Sequence, residues 1–283
     1  MQRVMEKIMH ILFLLCACVS ILAVVLICVY LFATGIPAMS EIGFTEFLFG
    51  MKWKPSSGYY GIFPMIVGSI LVTGIAVLIG VPIGVLCAVF MSHYCPKKLY
   101  TFVKPAVNLL AGIPSIVYGF FGLVVLVPWV RDTFGGAGKS LLTAGLLLGI
   151  MILPTIIKTT ESALNAVPKV YYEGALALGA THERSVFFAS LPAAKSGILA
   201  AIILGIGRAI GETMAVIMVA GNQSILPESI TSGIRTLTSN IVIEMAYAGG
   251  LHRGALVATA VVLFVFILII NLCFSVLKNK KNS

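Results

Sequence analysis

Long apolar runs, each close to the length that crosses a bilayer, alternate along this chain with short polar stretches. A helix needs about 20 apolar residues to span a hydrocarbon core of about 30 Å. Six runs meet that length, at about 8–34, 63–92, 105–130, 140–160, 196–220 and 254–277. The pattern predicts an all-α polytopic membrane protein with six transmembrane helices. The first run follows MQRVMEK and extends from Ile8 to Ala33, interrupted by His10. It exceeds the apolar core of a signal peptide, about 7–15 residues, and no small-residue cleavage site follows. LCAC at 15–18 lies in the middle of the run and is a poor lipobox. The expectation is a retained transmembrane helix. Glycines at Gly80/Gly84, Gly145/Gly149 and Gly207/Gly211 have the spacing that lets helices approach closely. Pro82 and Pro114 fall within predicted spans and are expected to kink them.

Composition agrees with the pattern. Only 10% of the 283 residues are charged, against about 25% in a soluble domain. The excess of 19 Lys+Arg over 10 Asp+Glu has two readings, nucleic-acid binding or membrane topology. Six spans put both termini on one side. With them go the 93–104 loop and the 158–195 segment, and together these carry Arg3, Lys7, Lys97, Lys98, Lys104, Lys158, Lys169, Arg184, Lys195, Lys278, Lys280 and Lys281. The opposite side carries only Lys52, Lys54, Arg131, Lys139, Arg235 and Arg253. Basic residues gather in cytoplasmic loops, so both termini are expected in the cytoplasm. Lys97 and Ser185 would then face inward, and Ser57 and Ser229 outward.

Three divisions follow: 1–62, a first helix with an external interfacial segment; 63–277, a five-helix membrane domain; and 278–283, a basic cytoplasmic tail. Within the first, 44–61 reads as an external re-entrant or interfacial piece, with Trp53, Tyr59 and Tyr60 at the interface.

Candidate chemistry is sparse. Cys16, Cys18, Cys28, Cys87 and Cys273 lie in apolar runs and Cys95 just beyond one, with no C-x-x-C. His10, His93, His182 and His252 are far apart. Free Cys behaves as a small hydrophobe. No metal site, cofactor or catalytic constellation is expected. GGAGKS at 135–140 ends like a phosphate-binding loop but has Thr133 where the first glycine belongs, and no soluble domain surrounds it. GIGRAIG at 205–211 carries Ile210 in place of the third glycine of a dinucleotide fingerprint. The chain has no ATPase of its own.

The segment 161–195 predicts two short surface helices. Pro168 suits the start of the first and Gly179 its C-terminal corner. Thr181 caps the second, with Glu183 near its positive end, and Pro192 breaks it before the fifth span. These residues carry a resemblance. Membrane subunits of ABC importers have a cytoplasmic loop of the form E-A-A, three residues, G, nine residues, I-x-L-P. Here stand Glu173, Gly174, Ala175, Gly179, then Ala189, Leu191 and Pro192. The spacing is kept, with Gly174 and Ala189 as departures. The resemblance implies a type I, MetI-like permease fold whose loop docks on a separate ATPase. Glu173 would supply an anionic contact, Gly179 the tight corner, and Leu191 and Pro192 the entry to the fifth span.

A finer resemblance covers nearly the whole chain. LLAGIPSIVYGFFGL (109–123), YGIFPMIVGS (60–69) and GRAIGETMAVIMVAGN (207–222) are similar to the PstC family, permease subunits of bacterial phosphate importers. The resemblance implies an inner-membrane location and three kinds of partner. These are a second, PstA-like permease, a PstB-like cytoplasmic ATPase dimer that binds ATP and Mg, and a PstS-like external phosphate-binding protein.

The resemblance also bears on the charged residues of the fifth span. An ionisable group at bilayer depth costs roughly 3 kcal/mol on insertion scales. Arg208 and Glu212 are four apart and would share a helix face. One reading is an ion pair that fixes packing. The other is a substrate pathway, with Arg208 offsetting the anion and Glu212 keeping it from binding too tightly. The pair also resembles that of sulfate and molybdate permeases, so another tetrahedral oxyanion stays open. A secondary carrier is the rival of another class, with Glu212 as its only clearly deep carboxylate. Lys158 and Glu161 are expected at the cytoplasmic interface.

Overall fold

The computed structural model describes residues 2–280. Lys281 and the rest of 281–283, at the end of the predicted basic tail, lie outside the described residues. Helix α1 (Gln2–Ile42) is longer than the predicted run and carries Pro37 within it. From Met5 to Tyr30 nearly all its described side chains are exposed. Further along it packs against the last helix, α14 (Gly250–Lys280): Phe32 meets Phe264 edge-on at 6.0 Å. The two helices run antiparallel, because Ala38 near the end of α1 abuts Gly254 near the start of α14.

The next segment, 44–61, packs against the end of α1 and the start of α14. It comprises α2 (Phe44–Phe49) and a hairpin of β1 (Trp53–Lys54) and β2 (Tyr59–Tyr60). Tyr59 is exposed as expected, but Trp53 and Tyr60 are buried. They pack with Met39, Phe47, Leu256 and Ala258 into a core of their own at this end.

The central bundle is built on α3 (Phe63–Val89), α4 (Lys97–Gly112), α5 (Ser115–Phe121), α6 (Val127–Phe134) and α7 (Leu141–Asn165). Two of the glycine pairs do what their spacing predicts. A Cβ on Gly80 would stand 2.7 Å from Ile152, and one on Gly84 2.8 Å from Ile156. From the other side, Gly145 receives Ile75. Helices α3 and α7 therefore interlock, each presenting glycine to the other's isoleucine. Pro82 leaves α3 continuous, so the kink expected there is not a break.

Pro114 does more than kink its span. Ile113 and Pro114 are extended (ψ 126° and 143°), and the helix stops at Gly112. A proline ring disfavours helical backbone in the residue before it. The third crossing is therefore Ser115–Phe134 rather than 105–130, and α4 is a separate helix. The Tyr118 hydroxyl donates to the carbonyl of Leu110 at 2.8 Å across the break. Helix α4 lies at the end of the bundle where Val107 joins Ala88, Met91 and Ile157. Tyr100 donates to Glu161 at 2.5 Å and Lys104 to the same oxygen at 3.3 Å. Glu161 is thus only 5% exposed, while Lys158 is half-buried.

Beyond α7 come α8 (Lys169–Ala177), α9 (His182–Ser185), α10 (Leu191–Ala193), α11 (Lys195–Gly211), α12 (Met214–Val219) and α13 (Leu237–Glu244). Among the described residues, five helices are long and apolar enough to cross a bilayer: Met5–Ile42, Phe63–Tyr94, Ser115–Phe134, Leu141–Asn165 and Gly250–Cys273. The crossing expected at 196–220 is α11 and α12 in tandem, interrupted at Glu212–Thr213. The chain then loops back, and α13 returns beside α3, where Leu237 N–H donates to Ser69 at 3.0 Å. The segments 44–61 and 222–250 share one end of the bundle, and 93–104 and 161–195 share the other.

Candidate functional site

The interruptions in two spans face each other. Helix α5 begins just after the Pro114 break and packs on α12, which begins just after the Glu212 break. A Cβ on Gly119 would meet Ala215 Cα at 2.9 Å, and one on Gly122 would meet Val219 at 2.9 Å. Beside this contact, at the end of α11, Arg208 is exposed. Gly207 and Gly211 have no neighbour within 4 Å, so the third glycine pair packs against nothing in this chain. It belongs to the same open face as Arg208.

Glu212 departs from the sequence reading. Its backbone is extended (ψ 131°), so α11 stops at Gly211 and the chain beyond Glu212 takes a new direction. Its carboxylate turns to the next helix and accepts from the N–H groups of Thr213 (3.2 Å) and Ala215 (3.3 Å). That satisfies donors the first turn of α12 leaves free. Its carbonyl accepts from Thr238 on α13 at 3.1 Å. Among the described residues, Arg208 and Glu212 form no ion pair within 4.0 Å. The geometry thus disfavours a simple structural pair. Arg208 remains a permanent cation on an open face, within electrostatic reach of Tyr118. Broken spans with a cation between them suit passage of an anion.

The loop residues gather at the opposite end. None of the residues of α8 is buried, and Glu173 and Gly174 are exposed. The helix closes as the Gly179 spacing predicts. Gly179 has φ 85°; its N–H donates to Leu176 and that of Ala180 to Ala175. This paired closure requires a left-handed residue at the corner. Thr181 accepts from Arg184 N–H at 3.3 Å and so caps α9. Hydrogen bonds from its own backbone N–H and from Thr181 hold the Glu183 carboxyl below the usual range. Leu191 is half-buried, and Pro192 sits inside α10. The chain bends by 70° at Ala194, two residues after the predicted breaker. Leu178 is 91% and Phe188 77% exposed, a large apolar presence for a loop.

One cluster escaped the sequence reading. Glu244, 6% exposed, accepts from three donors: Arg235 (2.6 Å), Trp53 Nε1 (2.8 Å) and His252 Nε2 (2.8 Å). Arg235 also donates to the Asn240 side chain and the Asn222 carbonyl, each at 3.0 Å. The cluster pins the hairpin to α13 and α14. Its only signal was Glu244, an acid inside the otherwise uncharged stretch 236–252.

Comparison with known proteins agrees with this architecture. Residues 80–282 match the family described as "Binding-protein-dependent transport system inner membrane component". A probable ABC transporter permease of Bacillus subtilis, YqgH, is 39% identical over 90% of this chain and 86% of its own length. The phosphate transport system permease protein PstC of Mesorhizobium japonicum is 36% identical over 86% of this chain and 81% of its own. That of Pasteurella multocida is 38% identical over 80% and 77%. Among solved structures, the inward-facing MetNI methionine ABC transporter superposes with a TM-score of 0.64 at 22% identity, over 81% of this chain and 99% of that one. The MetI-like permease fold expected from the loop is therefore present. By its broken spans, its exposed loop and these similarities, the chain belongs to the inner-membrane components of binding-protein-dependent transport systems.

Proposed function

We propose that this chain is one of two permeases of an ATP-driven importer that moves inorganic phosphate across the bacterial inner membrane. The carrying observation is similarity to phosphate permeases over about four fifths of both chains, joined to an unpaired arginine on an open face. Arg208 offsets the anion's charge, and a second permease completes the pathway by covering that face. Glu212 shapes the break and supplies the counter-charge that speeds release. Helix α8 docks on a cytoplasmic ATPase dimer through Glu173, Gly174 and Ala175. Gly179, Leu191 and Pro192 set its angle to α11. ATP and Mg reside in that partner and no cofactor in this chain. An external binding protein delivers the phosphate. Both termini face the cytoplasm, on the side richer in lysine and arginine.

The test is import by the assembled transporter in proteoliposomes holding ATP, with the binding protein outside. Phosphate should be imported, and sulfate and molybdate should not compete. ATP-independent uptake would instead indicate a secondary carrier, and competition a broader oxyanion permease. Glu173→Lys should release the ATPase from the membrane complex, and full retention would remove the docking role of α8.

A further inference from the structure

Helix α8 buries no residue, yet a docking helix has to pull on the bundle through something. The end of α3 continues as a π-helical turn, Phe90–Tyr94. Four rings meet there: His93 and Tyr94 from that turn, Tyr172 from α8, and His182 from the start of α9. Tyr94 and His182 are edge-on with centroids 4.7 Å apart. Tyr172 stands against His182 at 5.7 Å and against His93 at 6.2 Å. The Tyr172 hydroxyl and His182 Nδ1 are hydrogen-bonded at 2.7 Å. Beside the rings lies a cleft of about 370 Å³, lined by Ser92, His93, Leu164, Asn165, Tyr172 and Ser190, and further along the loop Val186, Leu191 and Ala194 pack on Val89 and Leu164.

We infer that this ring cluster is the joint that carries movement of the docking helix into α3, with Tyr172, His182 and Tyr94 as its positioning residues. Three features support it. The Tyr172–His182 bond ties α8 to α9 across the Gly179 corner, so the two helices move as one piece. Offset or edge-on ring pairs resist sliding as well as separation. From Gly84 back to Ile75, α3 is interlocked with α7 by glycine and isoleucine, so displacement at Tyr94 reaches the centre of the bundle. The inference rests on the proposed docking role of α8 but assigns a distinct step, transmission rather than attachment.

The experiment measures phosphate import and ATP hydrolysis together in the reconstituted, fully assembled transporter. Tyr172→Phe keeps the ring and removes one hydrogen bond, and should lower import about fivefold. Tyr94→Ala opens the joint and should lower it further. In both, ATP hydrolysis should stay near the wild-type rate, so that ATP spent per phosphate rises; a merely structural role would lower both together. A second measurement covers a variant that folds poorly. Tyr94→Cys with His182→Cys, in a chain with its six native cysteines replaced, is joined by a short thiol cross-linker. A joint that moves as one body should import normally when cross-linked. Blocked import on cross-linking, or an unchanged ATP-to-phosphate ratio in Tyr172→Phe and Tyr94→Ala, overturns the inference. Glu173→Lys separates the two ideas. If it loses the ATPase while the ring variants stay coupled, docking stands and the joint falls.

Discussion

Two arginines in this chain occupy opposite environments. Arg235 is 15% exposed and engages a carboxylate, an amide and a carbonyl; Arg208 is exposed and meets no carboxylate within 4.0 Å among the described residues. A charge whose hydrogen bonds are all met inside the fold holds parts together and has little left for a ligand. A charge left open at the edge of two broken spans contributes little to the fold, and its use lies elsewhere. Sequence alone singles out Arg208, which stands in an apolar run, and passes over Arg235, which reads as a loop residue.

The largest effect should come from the paired side. Glu244→Ala strands Arg235 and should cost roughly 3–5 kcal/mol, read as a large drop in thermal unfolding temperature of the purified transporter. Unfolding at the wild-type temperature would mean that the cluster is not structural. Arg208→Gln should do the reverse. Loss of one charge-assisted contact, about 1.5–3 kcal/mol, lowers import by about 10- to 100-fold while unfolding stays put. Exchanging the pair, Arg208→Glu with Glu212→Arg, should restore nothing, because the residues face different groups; recovered import would revive the ion-pair reading. Trp53→Phe removes one of three donors to Glu244 and should lower stability by about 1–2 kcal/mol without changing import per assembled complex. The smallest change is expected for Glu212→Gln. Its amide oxygen still caps α12, so stability should shift by no more than about 1 kcal/mol, with a moderate fall in transport rate.

Hydropathy made the spans legible because about 20 apolar residues have few alternatives to crossing a bilayer. The loop was legible for a different reason. Gly179 and Thr181 act through local backbone geometry, which does not depend on distant partners. The two breaks were not legible as breaks. Pro114 is compatible with both a kink and a full stop, and the stop depends on Tyr118 reaching back to the Leu110 carbonyl. At Glu212 a local cap, its carboxylate on the Thr213 and Ala215 N–H groups, combines with Thr238, 26 residues away, which holds the carbonyl. The four-residue spacing of Arg208 and Glu212 suggested a pair, whereas the Glu212 carboxylate caps α12 instead. Glu244 was missed because its donors come from residues 53, 235 and 252, a contact visible only in three dimensions.

The interlock of α3 and α7 carries a consequence for where this protein can bend. Glycine against isoleucine at Gly80, Gly84 and Gly145 leaves no slack for sliding, so the two helices behave as a single stiff plank. Compliance has to reside in the remaining joints: the extended residues at Ile113–Pro114, the 70° corner at Ala194, and the non-helical step at Glu212–Thr213. Two of these flank α11, at Ala194 and at Glu212–Thr213, and none lies within the plank. Helix α11, which ends beside Arg208, is therefore a strut with a joint at each end, set against a plank that has none.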